Sequence, residues 1–112
     1  MKKVEAIIRP EKLDAVRQAL ETSGYPGIMI TEIEGHGKQG GIAQQWRGGQ
    51  YRMDLLPKVK LEIVVQNEEV DRIVKAVIDN AATGSVGDGK IFVSDISEAI
   101  RIRTGEKGKA AL

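Results

Sequence analysis

The spacing of apolar residues along the chain changes in an order that restricts the possible folds. Four segments have the β-branched composition or the alternation of strands: residues 2–9, 28–33, 59–65 and 91–96. Two segments repeat apolar residues at helical spacing: residues 10–24 and 70–81. A short alternating segment at residues 100–103 follows the last strand. The order strand, helix, strand, strand, helix, strand predicts an α+β fold.

Two right-handed crossovers connect this order into the ferredoxin-like βαββαβ arrangement, in which two helices cover one face of a four-stranded antiparallel sheet. A length of 112 residues suits one domain, so we expect residues 1–112 to form a single unit with a short C-terminal extended segment. The second face of this sheet has no cover from the chain itself. We therefore expect it to pack against other copies in a closed cyclic oligomer.

Composition argues against several classes of function. The chain has no cysteine and one histidine, which excludes disulfides, thiol catalysis and metal sites with several His or Cys ligands. Seventeen basic and sixteen acidic side chains give a net charge of +1, which does not favour nucleic acid or a membrane surface. An RNA-binding ferredoxin-like module is also disfavoured, because only 4% of the residues are aromatic. The sequence contains neither an apolar run that could span a membrane nor a secretory signal, so we expect a cytoplasmic protein.

A glycine-rich segment separates the second and third predicted strands. Residues 36–57 form a gap of about twenty residues, and long structureless loops in small domains are usually functional or disordered. Four basic residues and one acidic residue lie between residues 36 and 58, a local charge of +3. Trp46 and Tyr51 in this gap indicate a surface for a partner, or else pack back onto the domain. The glycines at 35, 37 and 40 match GxGxxG, but no helix is predicted after them, which argues against a dinucleotide-binding fold.

A second glycine-rich segment, residues 84–90, begins like a Walker A loop. Ile91 stands where that motif has Ser or Thr, and a helix precedes the loop instead of following it. Lys90 and the glycines could hold phosphate without a helix dipole, and an ordinary turn is the alternative. Arg101 and Arg103 add guanidinium groups that suit phosphate. Together the two loops indicate a polyphosphate ligand, bound within one chain or between copies.

These same segments resemble the PII nitrogen regulatory (signal transduction) protein family over the whole chain. The matching motifs are GHGKQ at 35–39, WRG at 46–48, Tyr51, DLLPKVK at 54–60, TG at 83–84, GDGKIFV at 87–93 and IRIRTGE at 100–106. They correspond to the family's T-loop at about 36–57, B-loop at about 82–90 and C-loop at about 101–106.

The resemblance implies a homotrimeric sensor that is not an enzyme. It would bind ATP or ADP competitively in clefts between subunits, and 2-oxoglutarate together with Mg-ATP. The implied nucleotide-binding residues are Gly35, Gly37, Lys38, Gln39, Glu62, Val64, Gly87, Asp88, Gly89 and Lys90, with Arg101 and Arg103 from the adjacent subunit. The implied 2-oxoglutarate-binding residues are Gln39, Gly41, Lys58 and Gly87. Gln39 would also coordinate Mg²⁺, together with the ATP phosphates and 2-oxoglutarate.

The resemblance also implies partners for the T-loop. These are an ammonium transporter, into which Arg47 would insert, and nitrogen-assimilation enzymes or their regulators; contact with a membrane would occur only through the transporter. Tyr51 stands at the position that a uridylyltransferase modifies in many relatives. Gly40 and Met29 depart from the Lys and Thr that are common in the family, which puts 2-oxoglutarate affinity and one adenine contact in question.

Two other functions remain open at this stage. A slow NTPase could use residues 84–90, with Asp88 and Glu62 as the available carboxylates. An adenylate sensor that does not respond to 2-oxoglutarate would use the same nucleotide site.

Overall fold

The computed structural model describes residues 1–25, 27–35, 42–46, 49–53 and 56–112, with side chains described for residues 1–25, 27–33 and 57–112. Its strands and helices are β1 (Lys2–Ile8), α1 (Leu13–Thr22), β2 (Met29–Gly35), β3 (Ile42–Trp46), β4 (Gly49–Met53), β5 (Leu56–Val65), α2 (Val70–Ala81) and β6 (Gly89–Asp95). Short 3-10 turns lie at Pro10–Lys12, Asn67–Glu69 and Gly108–Ala111.

Four strands form one antiparallel sheet in the order β2-β5-β1-β6. The helices α1 and α2 contact each other, and their buried residues belong to the same core as one face of this sheet. The order places the first and third sheet strands side by side at the centre, as two βαβ crossovers require. The predicted ferredoxin-like α+β fold is confirmed.

Period-two alternation selects which sheet residues enter the core. The buried positions of β1 are Val4, Ala6 and Ile8, and the intervening residues point to the other face of the sheet. β5 repeats this pattern with Val59, Leu61, Ile63 and Val65. The helices complete the core with Val16, Leu20, Ile73, Val77 and Ala81. Since each buried aliphatic side chain contributes about 1.5–3 kcal/mol, this single aliphatic layer supplies most of the folding free energy.

The C-terminus of α1 explains why the chain can turn back towards the sheet. The amide of Gly24 donates to the carbonyl of Glu21 at 3.0 Å, and the amide of Tyr25 donates to the carbonyl of Leu20 at 2.9 Å. Gly24 has a φ of 94°. These two bonds and the left-handed glycine form a Schellman motif, which ends the helix and satisfies its last carbonyls.

The prediction of a structureless gap at residues 36–57 was wrong for part of that segment. β3 and β4 pair antiparallel as a separate two-stranded sheet, with Gln44 opposite Tyr51, and β5 already begins at Leu56. The cause is local cross-strand pairing, which satisfies backbone groups without an apolar alternation that a sequence pattern could reveal.

The predicted extended segment at residues 100–103 was wrong for residues 102 and 103. Ile100 forms an isolated bridge with Lys107, and residues 102–104 turn. The amide of Gly105 donates to the carbonyl of Arg101 at 2.7 Å, and Gly105 has a φ of 73°. Because glycine adopts this left-handed conformation without steric cost, the alternation of Ile and Arg is overruled by the turn that follows it.

Candidate anion-binding site at the loop between α2 and β6

The sheet register brings three charged residues together at one end of the sheet. Ile8 of β1 lies opposite Val59 of β5 on one side and Gly89 of β6 on the other. One residue beyond these pairs lie Lys58 of β5, Arg9 directly after β1 and Asp88 directly before β6. The loop of residues 82–88 (the 82–88 loop) joins α2 to β6 at this end of the sheet.

Asp88 holds the start of the 82–88 loop. Its carboxylate accepts hydrogen bonds from the amide of Thr83 at 2.7 Å, the amide of Gly84 at 2.9 Å and the hydroxyl of Thr83. These hydrogen bonds hold the pKa of Asp88 well below its usual range. The bond from the hydroxyl of Thr83 has the largest effect, and the bond from the amide of Thr83 has the next largest. The carboxylate is therefore committed to the shape of the loop.

Arg9 connects β1 to two points of the same loop. Its Nε donates to Oδ1 of Asp88 at 3.2 Å, and its Nη2 donates to the carbonyl of Val86 at 2.9 Å. The Arg9 and Asp88 side chains are only 22% and 24% exposed, so water screens this pair less than a surface pair.

Lys58 is the buried cation of the site. It is 9% exposed, and its Nζ donates to the carbonyl of Gly87 at 2.7 Å. Burial is the main cause that lowers the pKa of Lys58, and the charge of Arg9 lowers it further, whereas Glu11 and Asp88 act in the opposite direction. Arg9, Lys58 and Lys90 thus outnumber the carboxylates of Asp88 and Glu11 at this end of the sheet, an arrangement that favours an additional anion.

Gly89 is required where the loop enters β6. Its φ is 108°, and a Cβ built on it would lie 1.7 Å from the carbonyl oxygen of Ile7. Only glycine permits this close approach. The order α2, loop, β6 also confirms that the segment at 84–90 is inverted relative to a Walker A loop.

Lys90, Glu62 and Val64 lie on the sheet face that the helices leave open, as the register with β1 shows. Glu62 faces Lys3 at 3.5 Å and Lys60 at 3.4 Å, and it lies opposite Met29 of β2. Hydrogen bonding with Lys3 lowers the pKa of Glu5, the next carboxylate on this face. Alternating charges therefore run across the middle of the open face.

The structure keeps Arg101 within its own C-terminal segment. Nη1 of Arg101 donates to Oε1 of Glu106 at 2.8 Å, and the hydroxyl of Thr104 donates to the same oxygen at 2.8 Å. Arg103 is exposed in the turn at residues 102–104. Within the described part of the chain, Arg101 pairs with Glu106 and not with the 82–88 loop.

Several predicted residues lie outside the described residues: Gly37, Lys38, Gln39, Gly40, Gly41 and Arg47. Gly35 is the last residue of β2, opposite Leu56. Tyr51 lies in β4, and its side chain is not among those described.

An apolar groove of about 340 Å³ lies between α2 and the β1–β6 pair. It includes Asp88, Gly89 and Lys90, but its other lining residues are aliphatic or alanine, such as Val74, Ile78 and Ile91. Because such side chains offer no hydrogen bonds to phosphate, we do not place a polyphosphate in this groove.

The described residues offer neither a metal site nor a membrane span. No cluster of three or more His, Asp or Glu side chains with the geometry of a metal site occurs among them. None of the helices in the described ranges is long and apolar enough to cross a membrane.

Arg9 is the site residue that the sequence did not reveal. Its partner Asp88 is 79 residues away, and only the register of β1 between β5 and β6 brings them together. The one available signal was a charged residue directly after a buried strand, which is too common to identify a site.

Comparison with known proteins agrees with the motifs on these loops. The family described as "Nitrogen regulatory protein P-II" matches residues 1–106. "Nitrogen regulatory protein P-II 2" of Methanothermobacter thermautotrophicus is 54% identical over all of this chain and 97% of its own length. "Nitrogen regulatory protein P-II" of Pasteurella multocida is 52% identical, and "Nitrogen regulatory protein P-II 1" of Escherichia coli K12 is 53% identical, each over the full length of both chains. With this fold, these loops and this similarity over its whole length, the chain belongs to the P-II family of nitrogen regulatory proteins.

Proposed function

We propose that this chain forms a homotrimeric nitrogen-signalling protein that senses ATP, ADP and 2-oxoglutarate and reports them to target proteins through residues 36–57. The observation that carries the proposal is the charge balance at the 82–88 loop. Arg9, Lys58 and Lys90 lie at or beside this loop, and the nearby carboxylate of Asp88 is already bonded to Thr83, Gly84 and Arg9. Such a site favours an anionic ligand.

Nucleotide phosphates are the first proposed ligand. Gly87, Gly89 and Lys90 line one side of the cleft, where small residues let phosphate approach the backbone and Lys90 supplies charge. Gly35, Gly37, Lys38 and Gln39 complete this side, and Glu62 and Val64 lie towards the base and ribose. Arg101 and Arg103 of the adjacent subunit bind the phosphates. Arg101 then exchanges Glu106, its partner in the described chain, for a ligand with more negative charge.

2-Oxoglutarate is the second proposed ligand, with Mg²⁺ between it and ATP. Lys58 pairs with one carboxylate, and the backbone of Gly41 and Gly87 lies beside it. The amide oxygen of Gln39 is one metal ligand, and phosphate and 2-oxoglutarate oxygens provide others, as a hard cation prefers. Asp88 is unsuited to this role because its carboxylate is committed to the loop.

The uncovered sheet face supports the proposed homotrimer. Met29 and Phe92, which the register places on this face, are 53% and 51% exposed. The ion pairs of Lys3, Glu5, Lys60 and Glu62 lie between them and are less than a third exposed. A face that combines apolar side chains with paired charges suits association with copies of itself. Light scattering coupled to size exclusion at several concentrations tests the trimer.

Residues 36–57 are the proposed output of the sensor, with residues 82–90 and 101–106 as the ligand loops. Ligand at the base of the 36–57 segment would change the conformation that it presents. The proposed targets are an ammonium transporter, which Arg47 would contact, and nitrogen-assimilation enzymes or their regulators. Tyr51 is the proposed site for a uridylyltransferase. A pull-down with the immobilised protein, in ADP or in Mg-ATP with 2-oxoglutarate, tests whether partner binding depends on ligand.

Titration calorimetry tests the ligands directly. Mg-ATP is titrated first, and 2-oxoglutarate is then titrated with and without saturating Mg-ATP. Binding of 2-oxoglutarate only in the presence of Mg-ATP supports the proposed ternary site. Binding of ATP without 2-oxoglutarate would reduce the protein to an adenylate sensor, and absence of any nucleotide binding would refute the proposal.

The relatives are named as regulatory proteins, which favours a sensor over an NTPase. Steady ATP turnover at an enzyme-like rate, lost in Asp88→Asn, would overturn this assignment.

A further inference from the structure

We infer that Arg9 is a positioning residue that fixes the conformation of the 82–88 loop and so shapes the anion site, a role that rests on the function proposed above. Neither the sequence motifs nor the family match assigns this residue a role. Arg9 reaches the loop from β1, an element that is paired on both sides within the sheet.

The contacts of Arg9 control two separate parts of the loop. Through Nε it holds Asp88, whose carboxylate in turn receives the amides of Thr83 and Gly84 at the start of the loop. Through Nη2 it holds the carbonyl of Val86 in the middle of the loop. One guanidinium group thus contacts both the carbonyl in the middle of the loop and the carboxylate that binds the amides at its start.

Lys58 provides the remaining anchor from the neighbouring strand, since its Nζ donates to the carbonyl of Gly87. The Arg9 and Lys58 contacts turn the carbonyls of Val86 and Gly87 towards the sheet end. In a trans peptide the carbonyl and the following amide point in opposite directions. The amides of Gly87 and Asp88 therefore point away from Arg9 and Lys58. Loss of Arg9 would free the carbonyl of Val86 and remove one of the four hydrogen bonds that the carboxylate of Asp88 accepts, and Lys58, which contacts only Gly87, cannot replace either contact.

Arginine is suited to this role for a geometric reason. Its planar guanidinium donates from Nε and Nη2 at once to two acceptors in fixed directions, which a lysine ammonium on a flexible stem does not reproduce. Arg9→Lys should therefore keep the positive charge but only part of the hydrogen-bond geometry, whereas Arg9→Gln removes both.

The test measures ADP affinity by calorimetry for wild type, Arg9→Gln, Arg9→Lys and Arg17→Gln. Arg17 is a matched control because it is an arginine of the same chain that pairs with Asp14 and Glu21 on the exposed surface of α1. We expect Arg9→Gln to weaken ADP binding about tenfold or more, since charge-assisted hydrogen bonds are lost, with a smaller loss for Arg9→Lys. Arg17→Gln should stay within about twofold of wild type. Unchanged affinity in Arg9→Gln would overturn the inference.

A double-mutant cycle separates positioning from direct ligand contact. If Arg9 acts mainly through Asp88, Arg9→Gln should have a clearly smaller effect in an Asp88→Asn background than in wild type. Equal effects in both backgrounds would show that Arg9 acts independently of Asp88, and the inference would be wrong.

Amide chemical shifts of Thr83 and Gly84 test the same contact without nucleotide. Arg9→Gln should move both signals, and Arg17→Gln should leave both unchanged; unmoved signals in Arg9→Gln would refute the role of Arg9. If wild type and Arg17→Gln fail to bind any nucleotide, the proposed function fails instead, and the amide shifts still decide whether Arg9 positions the loop.

Discussion

Substitution of Gly89 by alanine is the most direct test of how the 82–88 loop joins the sheet. The added Cβ would lie 1.7 Å from the carbonyl oxygen of Ile7 and 2.8 Å from its carbon. Because real Cβ contacts are not shorter than 3.0 Å, β6 must move away from β1 by about 1.3 Å at this point. The atom that it meets belongs to the backbone of a central strand and cannot rotate aside.

The free-energy cost has two parts. Placing alanine at a φ of 108° costs about 1–3 kcal/mol of backbone strain. A shift of this size also weakens one or two ladder hydrogen bonds at the start of β6, each of which contributes about 1 kcal/mol. We therefore expect Gly89→Ala to lower the free energy of unfolding by about 2–5 kcal/mol, a large part of the stability of a small domain.

Gly24→Ala is the matched control, because Gly24 has a φ of 94° and no atom lies within 4 Å of its added Cβ. It carries the strain without the clash, so we expect a loss of about 1–3 kcal/mol, which is about 1–2 kcal/mol smaller than the loss in Gly89→Ala. Urea unfolding followed by circular dichroism at one fixed subunit concentration measures both variants. If the two losses agree within about 0.5 kcal/mol, the close approach of Gly89 to Ile7 does not limit the fold and the reasoning fails.

Four further predictions address the core, the loop and the ligands. Leu20→Ala should destabilise the domain by about 2–5 kcal/mol in urea unfolding, because Leu20 is fully buried between the helices and the sheet, whereas the exposed Ile78→Ala should cost far less. Asp88→Asn should lower stability at pH 7. Since the folded-state pKa of Asp88 is lowered, this contribution is present above its unfolded pKa and is lost as the pH falls through the folded pKa, so the two unfolding midpoints should begin to approach each other below about pH 4. Gln39→Ala should sharply weaken 2-oxoglutarate binding in calorimetry but leave ADP nearly unchanged, because the amide serves the metal; equal losses would contradict this role. Arg103→Ala should weaken ATP and ADP alike by at least about 1.5 kcal/mol, and an unchanged affinity would move the cleft elsewhere.

The elements that build the core could be predicted because burial imposes a period. Val59, Leu61, Ile63 and Val65 alternate strictly, and α2 repeats Ile73 and Val77 on one face, so strand and helix were distinguishable. β3 and β4 form outside that core, in a sheet of their own. Their pairing depends on which backbone groups meet, for which polar residues such as Gln44 and Gln45 give no signal.

The candidate site also has one part that the sequence predicts and one part that only the fold reveals. The glycines and Lys90 stand together in sequence and indicate a phosphate-type ligand by their composition alone. The contact of Arg9 with Asp88 spans 79 residues and exists only because β1 lies between β5 and β6. Sequence therefore predicts the class of ligand, whereas the residue that positions the loop appears only after the strands are aligned.

The row of Lys58, Arg9 and Asp88 also shows why a ligand-free site of this kind costs free energy. Burial and the charge of Arg9 both lower the pKa of Lys58, so folding makes the ammonium form of Lys58 less favourable. The carbonyl of Gly87 offsets part of this cost, and Asp88 is shared with the amides of the loop. A bound carboxylate or phosphate would add negative charge beside Lys58 and favour its ammonium form. The free energy lost in folding around two adjacent cations would thus be recovered on binding of the proposed anion, which would link the stability of this sheet end to ligand occupancy.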